Sequence, residues 1–185
     1  MNPDIFSRTI HTIAKALDNA GVSILLIGGF AVNHYGYTRA TLDVDFMLAV
    51  DDLESVKKAL PEAGFTNFSF LENVAFFQQP DNPVRVDFIQ TDRATMTAIL
   101  ERANQTHLYG TSVRVPALND LLAMKLFAAA SGTRERTEKD VQDITHLCVL
   151  NNVEITTDLR RLCEKYANDT IYTELCQIIH NLKRN

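Results

Sequence analysis

Apolar residues recur with the spacing of an α-helix in some segments of this chain and with the spacing of a β-strand in others. Apolar residues recur every three or four positions from about residue 4 to residue 19, which predicts an amphipathic helix ended by Gly21. A run at residues 22–27 that is apolar except for Ser23, closed by Gly28 and Gly29, predicts a strand buried on both faces. A short helix is expected directly after these glycines.

The segment at residues 42–50 alternates in a different way. Val44 and Phe46 fall on one face of the predicted strand, while Asp43 and Asp45 fall on the other. The pattern therefore predicts a half-buried strand whose outer face carries two carboxylates.

The remainder of the chain consists of short strand-like segments followed by helical ones. Asn and Pro signals separate the strands, which we expect to be antiparallel. We expect an α+β fold, with a small mixed sheet and flanking helices in a core at residues 1–116 and a helical C-terminal region at 117–185 packed on that core. The predicted elements are a helix at about 51–63, strands at 65–71, 75–79, 84–90 and 111–115, and helices at 92–104, 118–130, 137–150, 156–167 and 170–182.

The length and the apolar content of the chain indicate a folded protein without a membrane span. With 185 residues and 46% apolar content, the chain can bury a core without disulfides. No apolar stretch approaches the roughly 18 residues of a membrane span, and the charged N-terminus does not resemble a signal peptide. We therefore expect a cytoplasmic protein with no membrane partner.

The cysteine spacing and the net charge argue against zinc, redox and broad nucleic-acid-binding sites. The chain has an odd number of cysteines, at positions Cys148, Cys163 and Cys176, and they lack the C-x-x-C spacing of zinc or redox sites. We therefore expect these cysteines to be small, buried hydrophobic residues. The net charge of -5 argues against a broad, non-specific nucleic-acid surface, while a local basic patch stays open.

The two aspartates on one strand face are the first sign of chemistry. Side chains at positions i and i+2 lie roughly 6.5 to 7 Å apart along the backbone, and like charges on one face repel. Asp is also depleted in strands, so Asp43 and Asp45 destabilise the strand unless something compensates. A divalent cation is the simplest compensation, and Mg²⁺, or Mn²⁺ in its place, suits hard carboxylate ligands and substrate phosphates.

A third carboxylate completes the set. In the predicted strand at residues 84–90, Asp87 shares a face with Arg85 and Ile89. If this strand lies beside that of Asp43, three carboxylates converge and can hold metal ions for in-line phosphoryl transfer. We therefore predict Asp43, Asp45 and Asp87 as metal ligands and catalytic residues.

The glycine pair fits the same chemistry. Gly28 and Gly29 have no side chains, so backbone N–H groups at the start of the following helix can approach phosphates closely. An ordinary strand-to-helix turn is the alternative reading of this pair.

These residues together resemble the signature of the DNA polymerase beta-type nucleotidyltransferase superfamily. That signature is a Gly-Gly or Gly-Ser turn, then Asp-x-Asp, then a third carboxylate on a later strand. Thirteen residues separate Gly29 from Asp43. Within the superfamily, residues 29–45 are most similar to small prokaryotic proteins related to abortive-infection toxins of toxin–antitoxin pairs. The segments Leu-Leu-Ala-Met-Lys at 121–125 and Lys-Asp-Val-Gln-Asp at 139–143 are similar to that group too.

The resemblance implies a metal-dependent nucleotidyltransferase. It would move a nucleoside monophosphate from a nucleoside triphosphate such as ATP to a hydroxyl of RNA, a protein or a small molecule, and an antitoxin protein would be a possible partner. Arg39, Thr41 and Lys125 join the two glycines as predicted nucleotide contacts. Arg39 can also pair with a nearby carboxylate, and Lys125 can extend outward to solvent.

Two other interpretations of the fold and its aspartates stay open at this point. The chain can be a catalytically inactive nucleotide-binding or protein-interaction module that has kept this fold, as is possible for components of toxin–antitoxin pairs. The three aspartates can also serve a different metal-dependent phosphoryl-transfer or hydrolytic enzyme. Finally, Lys139, Asp140 and Asp143 have the spacing of a solvated, charged helix face, which is the reading we adopt for them.

Overall fold

The computed structural model describes residues 3–184, without the side chains of residues 3, 135 and 136. The chain forms two compact units. The first contains the described residues up to Ala31 together with Ala40–Ala117, and the second contains Val32–Arg39 and the described residues from Leu118 onward. No helix within the described residues is both long and apolar enough to cross a membrane.

The first unit is built on a mixed sheet of five strands and a separate hairpin of two strands. The elements are α1 Pro3–Asn19, β1 Leu25–Leu26, α2 Gly28–His34 (which continues into the second unit), β2 Asp43–Ala49, α3 Leu53–Glu62, β3 Asn67–Leu71, β4 Val74–Gln78, β5 Arg85–Thr91, α4 Arg93–Arg102, β6 Asn104–Leu108 and β7 Thr111–Val115. The strand order in the sheet is β1-β2-β5-β4-β3, and β6 and β7 form the hairpin. A 3₁₀ turn at Val50–Asp52 leads from β2 into α3.

The apolar core of this unit packs against one face of strands β2 and β5, which leaves the other face outside the core. Val44 and Phe46 of β2 and Val86 and Phe88 of β5 are fully buried in one apolar cluster, and the rings of Phe46 and Phe88 stack 5.5 Å apart. Burying these side chains is the main stabilising term for the two strands. Since side chains alternate along a strand, the residues between them point to the opposite face.

The second unit is helical. Its long helices pack on one another around buried Leu, Ile and Val side chains. A π-helical turn at Ile155–Leu159 precedes α7, where the sequence predicted the start of a regular helix. The helices are α5 Leu118–Ser131, α6 Arg134–Leu150, α7 Arg160–Tyr166 and α8 Asp169–Leu182.

The predicted α+β class and mixed sheet are confirmed, while the predicted strand at 22–27 is shorter and one strand was not predicted. Within the apolar run at 22–27, only Leu25 and Leu26 form ladder pairs with β2, opposite Met47 and Phe46, so the strand is shorter than predicted. Residues 104–108 were not predicted as a strand, yet they form the first arm of the β6–β7 hairpin. The turn of that hairpin has positive φ at both Tyr109 and Gly110, which matches the twist of the two strands.

Candidate metal and nucleotide site

The exposed face of β2 and β5 brings the three predicted aspartates together. The two strands are parallel, and Asp45 lies directly beside Asp87 while Asp43 lies beside Arg85. One carboxylate oxygen from each aspartate falls within 4.8 Å of the others. Their convergence required the two strands to be neighbours, and that condition is met.

Burial of the three carboxylates is graded. Asp87 is buried, with 7% of its surface exposed, whereas Asp43 and Asp45 are partly open to solvent. The site is therefore partly accessible to solvent at Asp43 and Asp45, and Asp87 is the cross-strand neighbour of Phe76 on β4.

Arg85 supplies a cation that the sequence analysis did not pair with the aspartates. Its Nε and Nη2 atoms donate to the two carboxylate oxygens of Asp87 at 2.7 and 2.8 Å, and Nη2 lies 3.6 Å from Asp43 Oδ2. The hydrogen bonds to Asp87, aided by the charges of Asp87, Asp43 and Asp45, raise the pKa of Arg85 against the opposing effect of burial. The signal was present in the alternation that placed Arg85 and Asp87 on one face.

Thr41 and Gly28 shape the positions of the other two carboxylates. The hydroxyl of Thr41 donates to Asp43 Oδ1 at 3.1 Å. The backbone N–H of Ile27 donates to the carbonyl of Asp45 at 2.9 Å, which draws the glycine turn against β2. Gly28 has a φ of +60°, and a Cβ built on it would lie 2.6 Å from Asp45 Cγ and 2.8 Å from Asp45 Cβ.

This packing gives Gly28 two separate reasons to be glycine. Its backbone conformation is one that other residues rarely adopt, and no room exists for a side chain beside Asp45. Gly29 is buried within the first turn of α2. Gly28 therefore lies against Asp45, while the predicted contact of the two glycines with a nucleotide stays a prediction.

Arg39 and Lys125 belong to the second unit, where both bind acidic side chains. Arg39 donates to both oxygens of Asp143 at 2.6 and 2.8 Å, and Lys125 Nζ lies 2.7 Å from Asp140 Oδ1 and 2.8 Å from Asp143 Oδ2. Asp143 is fully buried and Asp140 nearly so. The reading of Asp140 and Asp143 as a solvated face is wrong, because the two cations neutralise them inside the unit.

Comparison with known proteins supports the assignment of the fold. The chain is similar in structure to the antibiotic-resistance factor ANT(2″)-Ia, with a TM-score of 0.65, 13% identity and full coverage of both chains. It is also similar to a nucleotidyltransferase-like protein of Paracoccidioides brasiliensis, with a TM-score of 0.55 and 21% identity over 86% of this chain and 88% of that one. The lincosamide adenylyltransferase LnuA gives 0.52 and 12% over 73% and 93%.

Sequence comparison gives the family. A search of curated proteins returned no match. Residues 15–175 match the family model described as the nucleotidyl transferase AbiEii toxin of type IV toxin–antitoxin systems. Because this match spans most of the chain, the protein belongs to the AbiEii nucleotidyltransferase toxin family.

Proposed function

We propose that this chain transfers a nucleoside monophosphate from a nucleoside triphosphate to a hydroxyl acceptor, with Asp43, Asp45 and Asp87 as its metal-dependent centre. The observation that carries the proposal is the convergence of three carboxylate oxygens within 4.8 Å on one open sheet face. Like charges so close together repel, and Arg85 offers one positive charge against the three carboxylates, so a divalent cation would complete the compensation. Membership of a nucleotidyltransferase family supplies the reaction class.

The donor set fits Mg²⁺ or Mn²⁺. Mg²⁺ binds oxygen at about 2.1 Å, so two opposite ligands lie about 4.2 Å apart. Carboxylates already within 4.8 Å need only small side-chain movements to bind one ion. When bound, the cation would neutralise charge on the triphosphate and on the leaving pyrophosphate.

Individual residues of the chain would accept the proton, orient a carboxylate and give the phosphates access to backbone N–H groups. Asp87, the most buried of the three, would accept the proton of the incoming hydroxyl, whose oxygen bonds to the α-phosphorus as pyrophosphate leaves. Thr41 orients Asp43 through its hydrogen bond to Oδ1. Gly28 and Gly29 would let backbone N–H groups approach the phosphates without interference from side chains.

The nucleotide contacts predicted for Arg39 and Lys125 stay predictions. Both side chains bind Asp143 in the second unit, so their observed contacts favour a role in holding that unit together. Their direct contact with a triphosphate would require at least part of these ion pairs to be exchanged.

The partners follow from the family. A toxin of a type IV toxin–antitoxin system has an antitoxin counterpart, so we propose a cognate antitoxin protein for this chain. The acceptor class is RNA, a protein or a small molecule. ANT(2″)-Ia in complex with adenylyl-2″-tobramycin, and LnuA with lincomycin, have this fold, so it is compatible with small-molecule acceptors.

The test is transfer of label from α-labelled nucleoside triphosphates to mixed RNA, protein and small-molecule acceptors, with Mg²⁺ or Mn²⁺. Asp45→Asn should reduce labelled product and pyrophosphate release by at least about 100-fold, since one charged group of the centre is removed. Asp18→Asn makes the same change on the exposed face of α1 and should leave both unchanged. Nucleotide binding without product in the wild type would favour an inactive binding module, and equal rates in both variants would contradict the proposed centre.

A further inference from the structure

Arg85 occupies the position in which a cation would neutralise the carboxylate centre. Its guanidinium binds both oxygens of Asp87 and lies 3.6 Å from Asp43. Planar pairing of this kind is the strong form of an arginine–carboxylate interaction. Arg85 therefore compensates the repulsion among the three aspartates in the absence of a divalent ion.

The same contacts oppose metal binding at Asp87. A cation ligated by Asp87 needs a free lone pair on one of its two oxygens, and the guanidinium of Arg85 already occupies one lone pair on each. Two positive groups at one carboxylate also repel each other. The guanidinium and the divalent ion must therefore compete for Asp87.

An open groove beside the Arg85 side chain could accommodate the guanidinium when it leaves Asp87. Its side chain is 54% exposed, and the guanidinium lies 5.2 Å from the ring centroid of Phe76, the neighbour of Asp87 on β4. Arg85, Phe76 and Gln78 line an open groove of about 450 Å³ along this face of the sheet. The guanidinium can therefore swing into the groove and keep its contact with the aromatic ring.

We propose that Arg85 is a displaceable counter-ion of the carboxylate centre: it holds the three aspartates together without metal and releases Asp87 when a divalent cation binds. The inference rests on the metal centre proposed above. It makes Arg85 a positioning residue that stabilises the metal-free protein and weakens its affinity for metal.

Arg93 provides a matched control within the same unit. It also forms a bidentate pair, with Asp52 at 2.6 and 2.8 Å, and contacts a second carboxylate, Asp51, at 3.2 Å. Its side chain is 49% exposed, close to the value for Arg85. Among the described residues, the three-carboxylate grouping includes neither Asp51 nor Asp52, so Arg93→Gln removes a similar ion pair away from the centre.

The experiment measures Mn²⁺ binding by calorimetry and thermal unfolding with and without EDTA. Arg85→Gln should bind Mn²⁺ about tenfold more tightly than the wild type, equivalent to about 1.4 kcal/mol, because no guanidinium has to be displaced. Its melting temperature should be lower in EDTA and return toward the wild-type value with Mn²⁺. Arg93→Gln should keep the wild-type Mn²⁺ affinity.

Other outcomes separate the two proposals. Equal Mn²⁺ affinity in Arg85→Gln and the wild type, or weaker binding in the variant, would overturn the role of Arg85 while leaving the centre intact. Mn²⁺ binding that Asp45→Asn does not weaken, or no binding by any variant, would remove the proposed centre and this inference with it. Should Arg85→Gln fail to fold, Arg85→Lys keeps the charge without the planar fork and should still tighten Mn²⁺ binding.

Discussion

Replacement of Gly28 by alanine tests whether the glycine turn positions Asp45. Two costs can be worked from the structure. A non-glycine residue at a φ of +60° costs about 1–2 kcal/mol. The new Cβ would also lie 2.8 Å from Asp45 Cβ, an atom that cannot move without the backbone of β2, and such overpacking costs about 1–3 kcal/mol.

Gly21→Ala separates these two costs. Gly21 has a similar φ of +69°, and a Cβ there would meet nothing within 4 Å. We therefore expect about 1–2 kcal/mol of destabilisation for Gly21→Ala and about 2–5 kcal/mol for Gly28→Ala. For a chain of this size each kcal/mol lowers the melting temperature by about 2–4 °C.

The assay combines thermal unfolding by circular dichroism with calorimetric titration of Mn²⁺. Gly28→Ala should melt below Gly21→Ala and should bind Mn²⁺ at least about tenfold more weakly, since the carboxylate of Asp45 is displaced. Gly21→Ala should keep the wild-type Mn²⁺ affinity. Equal melting temperatures and equal affinities in the two variants would refute the argument that Gly28 makes room for Asp45.

Further predictions concern the second unit. Asp143→Asn removes the buried charge that pairs with both Arg39 and Lys125, so we expect a loss of about 3–5 kcal/mol of unfolding free energy in a denaturant titration; a loss below about 1 kcal/mol would contradict the role of these ion pairs. Burial raises the pKa of Cys148 to about 12 and that of Cys163 to about 11, so both thiols should resist Ellman's reagent at pH 8 until the protein unfolds. The partly exposed Cys176 should react first, and equal rates at all three would contradict this assignment.

The part of the site that the sequence could predict depends on the period of two along strands. That period placed Asp43 and Asp45 on one face and Asp87 on the outer face of another strand. It did not give the pairing of the strands, on which the contact between Asp45 and Asp87 depends. Strand pairing also decides the approach of Arg85 to Asp43, whereas the pairing of Arg85 with Asp87 lies within β5 and was signalled by their shared face.

Helical spacing was less informative in the second unit. Asp140 and Asp143 lie three positions apart on α6, and such spacing fits an exposed face as well as a buried one. The choice depends on Lys125 of α5 and on Arg39, which are distant in sequence and neutralise the two acids in the fold. The polar sequence of residues 104–108 was likewise missed as a strand, because its pairing with β7 decides its conformation.

The proposed metal centre can be tested most directly by locating Mn²⁺ from its anomalous scattering in crystals grown with a non-hydrolysable nucleoside triphosphate. We predict a Mn²⁺ peak bound by oxygens of Asp43 and Asp45 and within reach of Asp87, with the triphosphate beside it and the Arg85 guanidinium turned away from Asp87. A Mn²⁺ ion bound elsewhere, or no Mn²⁺ peak with Arg85 still paired to both oxygens of Asp87, would contradict the proposed centre.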